Sequence, residues 1–133
     1  MASTLSRSNA AVNAEADNVC ALLNSGYLRL YAGAQPASAD AALSGNTLLA
    51  ELRFSATAFA PAASGQAVAN AIATVTAVAN GTASFFRALK SDGATVVMDG
   101  SVGTAGADCN MNATNIALGA NVSVSSMSYT ATK

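Results

Sequence analysis

The chain has 133 residues, 10% of them charged, a formal net charge of −1 and no histidine. The usual charged share is about a quarter, and this shortage argues against nucleic-acid binding, which needs a dense Lys/Arg footprint. The missing histidine removes the commonest general base, the commonest metal ligand and the usual near-neutral pH switch.

The length fits one domain. Hydrophobic residues make up 52%, but 33 are alanines and there is no tryptophan. A core of small side chains gains little at about 25 cal/mol per Å² of apolar area. Such a chain is expected to draw part of its stability from partners. A surface so poor in charge suits a subunit of an assembly better than a free monomer. No run approaches the ~18 apolar residues of a membrane span, and the start lacks the apolar stretch of a signal peptide. The expectation is cytoplasmic synthesis with no membrane partner. Cys20 and Cys109 are expected as buried free thiols rather than a disulfide.

Residues 1–7 read as a flexible N-terminal arm, and 8–133 as a single domain with a leading helix over 8–25. Ser8 is the expected N-cap. Val12, Ala16, Val19, Cys20 and Leu23 repeat at helical spacing. "NSG" ends the helix, with Gly26 expected in the left-handed cap position.

At "YLRLY" (27–31) the period changes to two. Leu28 and Leu30 share one face; Tyr27, Arg29 and Tyr31 share the other, expected to be exposed. Tyr and Arg are the residue types that anchor interfaces. A loop of about 15 residues follows, with Pro36 inside, at the upper end of length for a compact domain. The next strand is "TLLAELRFS", with Leu48, Ala50, Leu52 and Phe54 on one face and Leu49, Glu51 and Arg53 on the other. Glu51 and Arg53 offer a cross-strand pair to Arg29 if those strands are neighbours.

A turn surrounds Pro61. Residues 66–79 fit both periods, and their β-branched content favours a strand. "TASFFRALKSDGATVVMDG" reads as a hairpin with a two-residue Asp92-Gly93 turn. That register sets Leu89 against Val96 and Arg87 against Met98. It places Phe86, Ala88 and Val97 together on a partly apolar face, a second candidate contact surface. Short strands are expected near 107–111, 114–118 and 121–131, the last with a bulge near Ser125-Ser126. Many short strands separated by turn signals indicate an all-β fold, a β-sandwich or jelly roll with one N-terminal α-helix.

Chemistry is sparse. Asp99 and Asp108 flank the Gly-rich "GSVGTAGA" and are read as turn caps. Without a following Lys-Ser/Thr and a helix, that stretch makes a poor phosphate loop. A Ser nucleophile has only Lys90 or Lys133 as a base, and a Cys nucleophile has no His partner. No enzyme activity, catalytic residue, metal site or cofactor is expected.

The stretches "GYLRLYAGAQPASADAALSGNTLLAELRFSATAF", "GTASFFRALKSDGATVVMDGSVGTAGAD" and "ALGANVSVSSMSYT" resemble a group of small proteins of tailed bacteriophages and prophages. The likeness spans residues 26–131. It implies a structural virion protein, a capsid decoration (cement) protein of jelly-roll or β-sandwich fold. Such a protein binds the outer surface of the head as a homotrimer, with the major capsid protein and its own copies as partners. The expected contact residues are Tyr27, Arg29, Tyr31, Pro36, Phe86 and Val97, with the N-terminal arm and the 33–46 loop. A tail or baseplate component is one alternative. A carbohydrate-binding adhesion module using Tyr27, Tyr31 and Tyr129 is another.

Overall fold

The computed structural model describes residues 4–131. Ser8 caps the helix α1 (Asn9–Ala21), its Oγ accepting from Ala11 N at 3.2 Å. Val12, Ala16 and Cys20 are buried along one stripe, and Leu23 just beyond the helix joins them. Arg7 reaches back from the arm to pair with Glu15 of the helix. The expected left-handed glycine is displaced by one position: Ser25 has φ 56°, and Gly26 is needed for close approach instead. A Cβ on Gly26 would stand 2.2 Å from Leu89 O and 2.8 Å from Leu23 O.

The strands are β1 (Tyr27–Ala32), β2 (Thr47–Arg53), β3 (Gln66–Val68), β4 (Val75–Thr76), β5 (Gly81–Thr82) and β6 (Phe85–Leu89). They continue with β7 (Val96–Gly103), β8 (Cys109–Met111), β9 (Asn115–Ile116), β10 (Asn121–Val122) and β11 (Val124–Thr130). Seven of them form one mixed sheet in the order β2-β1-β6-β7-β8-β11-β3, and the pairs β10-β4 and β5-β9 form two short ladders. The chain is therefore mostly strand, with one helix and one large sheet.

One face of this sheet and the short ladders enclose a common core. Leu28, Leu30, Leu52, Phe54 and Phe86 meet Ala77, Ile116 and Val122 there, with Cys20 and Leu23 from the helical segment. Parallel strands ordinarily need a crossover of about a dozen residues. Yet β7 and β8 pair parallel across only a short loop, Val102 opposite Cys109. Asp108 ties the two ends of that loop together, its Oδ2 accepting from both Ser101 N and Ser101 Oγ at 3.0 Å.

Bulges decide which side chains face inward. The β1–β2 register shifts between Leu30 and Tyr31, so Leu48 lies opposite Tyr31 and Leu49 turns into the core, fully buried. The expected outward Leu49 is thus corrected. The β6–β7 register shifts between Ala88 and Leu89. Leu89 opposes Val96 as expected, but Arg87 opposes Asp99 rather than Met98. The turn is longer than two residues: Lys90 N donates to Thr95 O at 2.9 Å, closing a loop over 91–94. Residues 66–79 form no continuous strand, only β3 and β4 with irregular backbone between. The bulge expected near Ser125-Ser126 is present, as a register shift between Val124 and Ser126.

Candidate interaction surface

β1 lies between β2 and β6, so its outward side chains are flanked on both sides. Arg29 Nε donates to Glu51 Oε2 at 2.7 Å, the cross-strand pair expected from the spacing, and its Nη2 donates to Gly93 O at 3.1 Å. Burial opposes the Arg29 charge, but the Glu51 hydrogen bond and charge outweigh it, and its pKa is raised. Two guanidinium groups approach the Tyr27 ring, with Arg53 Cζ 4.1 Å and Arg29 Cζ 5.5 Å from its centroid. Arg53 Nη2 also donates to Ser25 O at 2.8 Å. Four side chains, Tyr27, Arg29, Glu51 and Arg53, thus form one ordered cluster on the open face of β1 and β2.

Tyr31 does not belong to that exposed cluster. It is buried, stacked on Phe85 with centroids 5.4 Å apart and an interplanar angle of 17°. The 33–46 loop is tied down beside it. Asn46 Nδ2 donates to Ala32 O and Ala34 O, Ser84 Oγ donates to Gly33 O, and Arg87 Nη2 donates to Ala41 O. Pro36 is half-buried in this loop.

The second expected surface is corrected by packing. Phe86 is only 2% exposed and belongs to the core, and half-buried Val97 packs against that core. The hairpin face is satisfied within the chain, because the bulge aligns Phe86 with Gly100, where a Cβ would stand 2.4 Å from the ring. Asp99 is corrected too: it is no turn cap but the partner of Arg87 in a buried ion pair.

A different surface emerges from the distribution of charge. Residues 54–86 and 109–132 contain no Asp, Glu, Lys or Arg. These stretches hold β3, β4, β5 and β8 to β11, an uncharged group of strands that pair with one another, while α1, β1, β2, β6 and β7 carry charges. Val68, Val78 and Leu118 are 50%, 58% and 64% exposed within it. The backbone brings Val78 and Leu118 to one place: Ala77 N donates to Ala120 O, Gly119 N to Ala77 O, and Leu118 N to Asn80 Oδ1. Exposed Ala117, Gly119 and Ala120 surround them with small side chains. The signal for this surface lay in the gaps between charges rather than in any motif.

A groove of about 510 Å³ runs between Arg7, Glu15, Asn18, Val19, Tyr129 and Thr130. Its two charged groups, Arg7 and Glu15, pair with each other. Both thiols are free and buried, as expected. Among the described residues no group of three or more His, Cys, Asp or Glu could hold a metal ion, and no helix is long and apolar enough to cross a membrane. Lys133 lies outside the described residues. Comparison of the chain with family models, with curated proteins and with solved structures gave no match.

Proposed function

We propose that this chain is a structural virion protein, a decoration protein that binds the outer surface of a phage head and stabilises the shell. The observation that carries the reading is the uncharged part of the surface with Val78 and Leu118 held together on it. Interface centres are depleted in charge and enriched in apolar contact, and small flanking residues let another backbone approach closely. The likeness of residues 26–131 to phage virion proteins gives the partner as the major capsid protein. The jelly-roll topology and the three-fold assembly belong to the same proposal. Stabilisation follows from mass action: a protein that binds the assembled shell and not its loose subunits raises shell stability with its own concentration.

The test uses particles of the phage whose genome encodes the chain. A decoration protein is present at a copy number comparable with the major capsid protein on a stained gel, whereas a tail or baseplate part is present in few copies. Leu118→Asp and Val78→Asp variants that keep the native circular dichroism are expected to lose co-sedimentation with heads. Undiminished co-sedimentation of both, or absence of the chain from the head, overturns the proposal.

A further inference from the structure

β2 ends the seven-stranded sheet, and no further strand pairs with its outer edge. Alternate residues of a strand direct their N–H and C=O groups to opposite sides. Phe54 N donates to Gly26 O on the β1 side, and Leu52 and Ala50 share that parity. On the other side Leu49 O accepts from Val78 N at 2.8 Å. Glu51 and Arg53 share the parity of Leu49, so their backbone groups face away from β1. Val78 covers the edge at Leu49 and β4 approaches β2 beside it, but among the described residues no backbone hydrogen bond engages Glu51 or Arg53 on that outer side.

We propose that this edge pairs antiparallel with the same edge of a second copy, around a two-fold axis at Leu52. In that register Glu51 of one copy stands opposite Arg53 of the other, and Arg53 opposite Glu51. The contact is isologous, the same patch on both sides. Each of the two pairs exchanges two backbone hydrogen bonds, and each brings opposite charges side by side on one face.

Exposed edges are commonly guarded by lysines, which present like charge to like charge when two copies meet. Here the two charges are opposite and two residues apart, which is the spacing that makes the edge complementary to itself. Both side chains are also ordered before any contact. Arg53 is stacked on Tyr27 at 4.1 Å and bonded to Ser25 O, and Glu51 is held through Oε2 by Arg29. Little side-chain freedom remains to be lost on pairing. The inference stands apart from the capsid reading, since it concerns only copies of this chain in solution.

The experiment compares wild type with Glu51→Lys and Arg53→Glu by sedimentation equilibrium, with circular dichroism confirming that each variant is folded. The wild-type mass is expected to be an even multiple of 13.0 kDa and twice that of either variant. Each variant alone places like charges opposite each other and self-associates about tenfold more weakly or worse. An equimolar mixture regains the wild-type mass, because the positive edge of one variant faces the negative edge of the other. In wild type, exchange of the Glu51 and Arg53 amides with solvent slows as protein concentration rises. Variants that associate as tightly as wild type, a mixture no heavier than its components, or concentration-independent exchange at these amides overturns the proposal. A wild type that forms only trimers, unchanged by either substitution, also overturns it while leaving the capsid reading intact.

Discussion

Arg87 on β6 grips Asp99 on β7 with two parallel hydrogen bonds, Nε to Oδ1 at 2.7 Å and Nη2 to Oδ2 at 2.9 Å. Their side chains are only 6% and 3% exposed. The same guanidinium donates to Ala41 O at 2.9 Å, so the pair also anchors the 33–46 loop. The bond to Asp99 outweighs burial and raises the Arg87 pKa, which keeps the group charged. Removing one partner strands the other charge in a dry place, which costs about 3–5 kcal/mol. Arg87→Met and Asp99→Asn are each expected to lose stability on this scale in urea unfolding. Replacing both with apolar residues is expected to cost much less than the sum. Single variants within 1 kcal/mol of wild type, or a fully additive double variant, would contradict the role given to this pair.

The hairpin loop carries a second, weaker charge device. Asp92 accepts from Thr95 Oγ1 and from the amides of Thr95 and Ala94. These bonds, the Thr95 side chain first, hold its pKa down to about 2 from 3.8. A depressed carboxyl contributes stability above its unfolded pKa and loses it as pH falls through the folded value. The Asp92 carboxyl resonance is expected to titrate near pH 2 in wild type. In Thr95→Ala the midpoint should move upward toward the ordinary aspartate range. An unmoved midpoint would show that the hydroxyl does not hold the charge.

The readable parts of this chain were those with a local cause. The Ser8 cap and the Val12–Ala16–Cys20 stripe mark α1, and the strict alternation in "YLRLY" marks β1. The change of parity between Val124 and Met127 marks the bulge of β11. The unreadable parts depended on distant contacts. Single-residue bulges on β2 and β7 exchange the faces of every residue beyond them, and nothing near Leu49 or Val97 signals them. The slip on β7 concealed the Arg87–Asp99 pair, and Phe86 is core because β6 lies beside β1 and sets it opposite Leu30. Tyr31 is buried by Phe85, 54 positions along the chain and brought alongside only by the sheet. Residues 66–79 were ambiguous because alanine fits either period. The uncharged part of the surface could have been found by mapping charges along the chain, although only the fold shows that its two stretches meet.

Gly26 tests the helix-to-strand junction. Its constraint is space: the two backbone oxygens that a Cβ would meet, of Leu89 and Leu23, are fixed by the sheet and the helix end. Gly26→Ala is expected to destabilise by about 1–3 kcal/mol, the scale of an overpacked site. Ser25 sits at φ 56°, so Ser25→Gly is expected to be neutral or stabilising. The reverse order of effects in thermal unfolding would place the left-handed requirement at Gly26 after all.

The two thiols give the chain an alkaline limit. Burial, reinforced by Asp17, pushes Cys20 up to about 11, and burial with Asp108 pushes Cys109 up to about 12. An unfolded cysteine ionises near 8.5. A group whose folded pKa is raised contributes its full stability below the unfolded value and loses it as pH rises toward the folded one. Between about pH 8.5 and 11 the unfolded state sheds protons that the folded state keeps. The urea midpoint is therefore expected to fall over this window, and to fall less in a Cys20→Ala/Cys109→Ala variant, which lacks both ionisations. At pH 8 a thiol-reactive dye should label neither cysteine at the rate seen in urea, because a buried neutral thiol is a poor nucleophile. Native labelling at the unfolded rate, or an alkaline decline identical with and without the cysteines, would remove burial as the cause.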